Sequence, residues 1–401
     1  MINKSFIEQL LDGVEVEWKP LTEVSRFING RAYKKPELLQ QGKYLVLRVG
    51  NFFTNDNWYY SDLELDEDKY CDHGDLLYAW SASFGPRIWQ GGKVIYHYHI
   101  WKVVPNEDVV LKKFLFYLLE WDTKALKDEH GTGSTMVHVS KGSIEKRLIP
   151  IPCPENPKKS LEIQAEIARI LDTFTELTTE LTTELTARKK QYSYYRDQLL
   201  SFEEGEVEWK TLGDVCASIS AGGDVPKNCA KGQIQPTDEF LYPIYANATG
   251  EKGLYGYTDD YKIDSDAVTI SARGAKVGYH TVRKAKFTPI IRLIVLVAEQ
   301  SLVRTRYLNY ALDMTLIGGT EGGIPQLTVP MVKKITVPIP FPDDPKKSLA
   351  EQDRILGVLD KFETLTTSIS EGLPREIALR QQQYEYYRDL LLCFPKTEVV
   401  A

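Results

Sequence analysis

The sequence predicts a mixed α/β fold in which two globular domains are separated by two long antiparallel helices forming a coiled coil, with a pseudo-two-fold internal repeat. Three observations predict it. Segments of the first half recur in the second half. The recurring segments carry apolar residues at helical spacing, and the regions between them are rich in glycine turns and in β-branched or aromatic runs.

With 401 residues the chain has room for two or three domains with substantial cores, and its 43% hydrophobic and 26% charged residues are ordinary for a globular protein. No apolar run reaches membrane-spanning length, and "MINKSFIEQL" lacks the halves of a signal peptide, so a cytoplasmic protein with no membrane association is expected. Cys71, Cys153, Cys216, Cys229 and Cys393 are scattered without paired spacing, which suggests neither a disulfide framework nor a zinc ribbon. A net charge of −7 argues against a simple basic nucleic-acid binder, but the acidity sits in the recurring segments while the two variable regions are mildly basic.

The repeat sets the order of the pieces. "VEVEWKPLTEV" from Val14 recurs as "EVEWKTLGDV" from Glu206, and "IPIPCPENPKKSLEIQAEIARILDTF" from Ile149 recurs as "VPIPFPDDPKKSLAEQDRILGVLDKF" from Val337. "QYSYYRDQLLSF" from Gln191 recurs as "QYEYYRDLLLCF" from Gln383. The offset grows from 188 to 192 between the last two pairs, which predicts one extra helical turn in the second copy. The divisions are a shared segment at 1–24, a variable domain at 25–147, a shared region with a long spacer helix at 148–215, a second variable domain at 216–334 and a shared region with the second long helix at 335–401. Between the variable domains only weak echoes remain, "SASFGPRIW" against "SARGAKVGY" and "GTGSTMVHVS" against "GTEGGIPQLT".

Both long helices show a narrow apolar seam. One ladder runs from Ile163 through Phe174, Leu177, Leu181, Leu185, Tyr192 and Tyr195 to Phe202; the other runs from Ile355 through Phe362, Leu365, Ile369, Leu373, Ile377 and Tyr384 to Phe394. Steps of three, four or seven residues make a coiled-coil pair, with each helix the economical partner of the other. Pro157 and Pro345 mark the helix starts, and Gly372 with Pro374 predicts a kink in the second helix. The phrase "TELTTELTTELT" repeats every four residues, close to one turn and about 6 Å of rise, so it reads as a unit of length. The variable regions read as compact α/β domains, with strands at "GKYLVLRVGNFF", "KVIYHYHIWKVV" and "IIRLIVLVAEQ" and a short helix near "VLKKFLFYLLEW".

Neither a glycine-rich cofactor loop of a methyltransferase nor the G-x-x-x-x-G-K-[ST] phosphate loop is present. Cys71, His73, His97 and His99 could be drawn as a metal site, but two histidines in "HYH" are better explained by packing or polar contact, and the acidic run "DLELDEDKY" by a solvated loop. No metal site and no catalytic residue is assigned. Candidate DNA contacts are loops that mix cations, amides and aromatics, because phosphates need donors and base edges need bidentate groups. In the first domain they are Arg31, Tyr33, Lys34, Lys35, Ser83, Arg87, Ser134, Thr135 and His138. In the second they are Lys227, Asn247, Thr249, Arg273, Lys276 and Gln326, and on the helix Lys189 and Lys190 are candidate phosphate contacts. Each could be an ordinary solvated loop residue; the matching placement before Pro150 and Pro338 favours those two loops. Tyr192 and Tyr195 are expected to pack in the seam.

The proline-rich lead-in, the tetrapeptide ladder and the "QYxYYRDxLLxF" close resemble the specificity subunits of type I restriction-modification enzymes, most of all the type IC family. The resemblance implies that each variable domain is a target recognition domain reading one half of a bipartite, asymmetric double-stranded DNA site, with the helices setting the spacer. It implies partners as well: two modification (methyltransferase) subunits and restriction (translocase/endonuclease) subunits. S-adenosylmethionine, ATP and Mg2+ would then be used on those other subunits, with no cofactor on this non-catalytic chain. A pseudo-two-fold helix pair would present the domains in opposite orientations to half-sites centred about one turn of DNA apart. Two rival readings differ in class: an adaptor joining proteins through the coiled coil without reading DNA, and a self-sufficient nuclease.

Overall fold

The computed structural model describes residues 10–11, 13–53, 55–81, 85–130, 139–203, 205–248, 253–274, 276–315, 317–318 and 326–394. The chain divides into two compact units, one running to Leu181 and resuming at Ile377, the other spanning Thr182–Glu376. Each unit therefore contains a variable domain together with parts of both shared helical segments.

In the first unit β1 (Val16–Pro20) and the single turn α1 (Leu21–Val24) lead into β2 (Ser25–Asn29), β3 (Tyr44–Leu47), α2 (Val49–Phe53) and β4 (Tyr59–Ser61). Then come β5 (Tyr70–Cys71), β6 (Leu76–Ala79), β7 (Gly85–Ile88), β8 (Val94–Tyr96), β9 (Ile100–Pro105), α3 (Lys112–His130), α4 (Lys141–Glu145) and β10 (Leu148–Pro152). Two four-stranded sheets result, in the orders β2-β9-β6-β7 and β4-β3-β8-β5. The 43-residue α5 (Pro157–Leu199) then continues from this unit into the next.

The second unit repeats the plan with β11 (Val207–Thr211), α6 (Leu212–Val215), β12 (Cys216–Ala221), β13 (Cys229–Lys231), β14 (Tyr242–Tyr245) and β15 (Leu254–Thr258). It goes on through β16 (Ala267–Ile270), β17 (His280–Arg283), β18 (Thr288–Pro289), β19 (Ile294–Ala298), α7 (Thr305–Asp313), α8 (Val329–Lys333), β20 (Thr336–Pro340), α9 (Pro345–Thr367) and α10 (Leu373–Leu392). Its sheets run β12-β19-β16-β17 and β13-β15-β14-β18. The shared segments form a two-stranded ribbon in both units, with Val16 opposite Pro152 and Trp18 opposite Pro150 in one, and Val207 opposite Pro340 and Trp209 opposite Pro338 in the other. Prolines are tolerated there because every strand of a two-stranded ribbon is an edge.

The helices belong to the domain cores. In the first unit Ile167 and Leu171 of α5 and Leu391 of α10 are buried in one cluster with Leu21, Tyr78 and Phe114, and Phe174 stacks on Tyr387 with ring centroids 5.3 Å apart. In the second unit Ile355 and Leu359 of α9 share a cluster with Leu200, Leu212 and Tyr307, and Tyr195 stacks on Phe362 at 5.6 Å. The tyrosines of the seam thus pack, as the spacing predicts.

Threonine is a mediocre helix former because its branched Cβ is stiff, yet its hydroxyl can bond the carbonyl one turn back. Thr175, Thr178, Thr179 and Thr186 donate to the carbonyls of Leu171, Phe174, Thr175 and Thr182, so their hydroxyls are satisfied within the helix. Leu177, Leu181 and Leu185 lie half-buried along it.

The second long helix departs from expectation. It is not kinked but broken, with α9 ending at Thr367 and α10 beginning at Leu373. Gly372 has a φ of +83°, and a Cβ there would lie 2.4 Å from the Thr364 carbonyl oxygen, so the chain reverses locally in a conformation that glycine alone accepts without strain. Pro374, lacking an N–H, sits in the first turn of α10, where none is required. The four residues that distinguish the second copy therefore enter this break and add no helical turn. Ile369 falls in it, 77% exposed and outside the seam, whereas Leu373 is buried and Leu365 and Ile377 are half-buried.

Candidate nucleic-acid interface

In both units the same buried glutamine docks the domain on its helix. Gln164 of α5 accepts from the Leu111 N–H at 2.9 Å, donates to the Val109 carbonyl at 2.9 Å and reaches the Ser160 hydroxyl at 3.1 Å. Gln352 of α9 repeats this with the Arg304 N–H, the Leu302 carbonyl and the Ser348 hydroxyl at 2.9, 3.0 and 3.3 Å. Two turns further on, Asp172 takes hydrogen bonds from Lys113 and Tyr117, and Asp360 takes them from Arg306 and Tyr310. Sequence reasoning passed over these residues. Their signal was present in the repeat, where Ser160, Gln164 and Asp172 align with identical residues at Ser348, Gln352 and Asp360.

Fixed in this way, each domain gathers loops at the ends of β6 or β16. In the second domain Arg273 forms an antiparallel bridge with Gln326, and the Leu327 N–H donates to the Ala272 carbonyl at 2.8 Å. Asn247 joins them: its Oδ1 accepts from the Ala272 N–H at 2.5 Å and its Nδ2 donates to the Arg273 carbonyl at 2.9 Å. Three separate candidate loops therefore meet. Asn247 does so as a strut, because both ends of its amide bond to backbone. Arg273 and Lys276 stay exposed on the turn leading to β17, and Lys227 is exposed between β12 and β13.

The first domain uses the same join, with the Val139 N–H donating to the Trp80 carbonyl at 3.1 Å. The echo of "GTGSTMVHVS" in "GTEGGIPQLT" thus holds in register, Val139 answering to Leu327. The other echo is two residues out: Trp80, not Ala82, answers to Ala272. Ser83, Ser134, Thr135, His138 and Thr249 lie outside the described residues.

Arg31 is placed otherwise than expected. Its guanidinium forms two hydrogen bonds to the Glu37 carboxylate at 2.9 and 2.8 Å, and with the Lys34 N–H it holds that carboxyl down to about 2. The charge is committed to closing the 31–37 loop, which carries Lys34 and Lys35 exposed at its tip. Tyr33 is half-buried and stacks on His97 at 6.3 Å. Burial, with His99 and Arg48 adding repulsion, lowers His97 to about 4 and keeps its imidazole neutral. Arg87 lies exposed over the Phe53 ring at 5.0 Å, beside a cavity of about 520 Å³ between β7 and α3. Lys189 and Lys190 are exposed on α5. Among the described residues no group of three or more His, Cys, Asp or Glu is placed to hold a metal, and no helix is long and apolar enough to cross a membrane.

This duplicated architecture has a counterpart among known proteins. The type I restriction modification DNA specificity domain matches residues 13–189 and again residues 204–379. The chain belongs to the type I restriction-modification specificity subunits. It is 34% identical to a type I restriction enzyme specificity subunit of Escherichia coli over the full length of both chains. A putative type I restriction enzyme specificity subunit of Haemophilus influenzae is 31% identical, covering 98% of this chain and 99% of that one. The crystal structure of the S subunit of a type I restriction-modification system from M. genitalium shares the fold at a TM-score of 0.59 and 15% identity, over 96% of this chain and 98% of that one. A chain solved in work on complex assembly and conformational transition of the type I system gives 0.54 at 16% identity, over 95% and 98%. As a specificity subunit the protein supplies DNA sequence specificity and works with other subunits in a complex.

Proposed function

We propose that this specificity subunit reads a bipartite, asymmetric duplex site, one half by each variable domain, with the helical segments setting the unread gap. The observation that carries this is the duplication itself. Each domain has the same two sheets, the same glutamine dock and the same loop join at Trp80–Val139 or Ala272–Leu327, while the side chains presented there differ. A common scaffold bearing different exposed groups is what two half-sites of different sequence require. The chain itself is non-catalytic. Two modification subunits using S-adenosylmethionine, and restriction subunits using ATP and Mg2+, would supply the chemistry.

Methylation mapping in cells expressing the chain with its modification subunits tests this: two short half-sites around a fixed gap are expected. A single continuous motif would sink the bipartite reading. Duplex binding by the purified chain with modification subunits should weaken steeply as salt is raised, because phosphate contacts release counterions; binding absent at low salt would favour the protein adaptor. Cleavage by the chain alone with a divalent metal would favour the nuclease.

A further inference from the structure

We infer that the exposed turn after β8 in the first domain and after β18 in the second, Tyr98–His99 and Ile291–Arg292, is a base-reading element of the specificity subunit. This rests on the proposal that each domain reads one half-site.

The hydrogen bonds that frame the turn are the same in both domains, although only Ile291 and Arg292 of the second take a left-handed backbone. His97 N–H donates to the Leu47 carbonyl and Ile290 N–H to the Tyr245 carbonyl, both at 2.9 Å. Tyr98 N–H donates to the Arg31 carbonyl at 3.1 Å and Ile291 N–H to the Gly223 carbonyl at 2.9 Å. Parallel bridges join Arg31 to His97 and Gly223 to Ile290. Under each turn lies a glycine with no room for a side chain: a Cβ on Gly30 would come 2.4 Å from the Tyr96 carbonyl oxygen, and one on Gly222 2.7 Å from the Ile290 nitrogen. The same frame therefore holds a turn at the same place in both domains.

What it displays differs. Tyr98 is 38% exposed and Ile291 54% exposed. Arg292 is exposed, and its guanidinium makes no hydrogen bond or ion pair among the described residues. Ile291 and Arg292 have φ of +51° and +58°, a conformation that a branched side chain adopts at a cost, and such strain at an exposed site points to a use for the residues held there.

The turn also adjoins the candidate loops. Trp80 donates its indole N–H to the Tyr98 carbonyl at 2.8 Å and its backbone N–H to the His99 carbonyl at 3.0 Å, while its own carbonyl takes the Val139 N–H. In the second domain the β16–β19 pairing ends with Ile270 opposite Ile294, two residues short of both Ala272 and Arg292. An arginine fork matches the O6 and N7 of guanine, and an isoleucine suits a thymine methyl. The second domain's half-site should accordingly contain a G·C pair read by Arg292.

Methylation mapping of the chain with its modification subunits tests the turn directly. Arg292→Gly removes the fork and relieves the left-handed backbone, so folding is not the obstacle. Discrimination at one G·C pair of one half-site should fall by about 10- to 100-fold, with the other half and the gap unchanged. Arg292→Lys keeps the charge without the fork and should relax the same pair, and Tyr98→Ala should act on the other half. The inference is overturned if Arg292→Gly preserves every base, weakens all positions equally as a phosphate contact would, or abolishes methylation while the chain remains folded. It is equally overturned if Arg292→Lys keeps the site strict. A continuous motif from the unaltered chain would overturn the half-site proposal itself before any variant is compared.

Discussion

Gln164 shows what a single residue decides in this subunit. A buried amide is tolerated only when its donors and acceptor are matched, and here it is matched by backbone groups at the start of α3. Gln164→Leu would strand the Leu111 N–H and the Val109 carbonyl; a loss of about 2–4 kcal/mol in urea unfolding is expected. His97 acts in the opposite sense. It is held at about 4 instead of the usual 6.5, so between those values the unfolded chain binds a proton that the folded chain refuses. Its effect is absent above pH 6.5, and stability falls as pH drops from 6.5 towards 4. The non-titrating variant His97→Gln should flatten that part of the profile of urea midpoint against pH.

At the scale of elements, the contrast is between α5 and the α9–α10 pair. The Thr-Glu-Leu units run through α5 unbroken, whereas the second copy stops at Thr367 although Thr366 and Thr367 make the same hydroxyl bonds one turn back, so it is the Gly372–Pro374 segment that ends it. Gly372→Ala would force a Cβ against the Thr364 carbonyl oxygen in a left-handed backbone. About 1–3 kcal/mol of destabilisation is expected, read as a lowered melting temperature. Replacing the exposed Ile369 by serine should change stability by less than about 0.5 kcal/mol, because it buries little on folding.

For the whole molecule, the proposed spacer role of the helices would tie the half-site gap to the length of the repeat. One further "LTTE" unit in α5 adds about 6 Å of rise and turns the helix by about 40° beyond a full turn. The expected outcome in methylation mapping is two unchanged half-sites with a longer gap, the mismatch with the base-pair rise being taken up by tilt or DNA deformation. An unchanged gap would show that the repeat only fills the seam.

The sequence by itself determined the duplication, the two mixed domains, the helical ladders and the family, because periodicity and internal identity are local properties that need no partner to be read. It also singled out the loops before Pro150 and Pro338 as the favoured candidates for DNA contact. Only the tertiary structure decided which side chains are available there. Arg31 and Asn247 look like DNA contacts in a list of residues, yet one is committed to Glu37 and the other to the backbone at Ala272 and Arg273. Tyr98 and Arg292 look like strand residues in "HYH" and "IIRL", yet the turns lift them out. These outcomes rest on hydrogen bonds between segments distant in sequence, and no local pattern encodes such pairings.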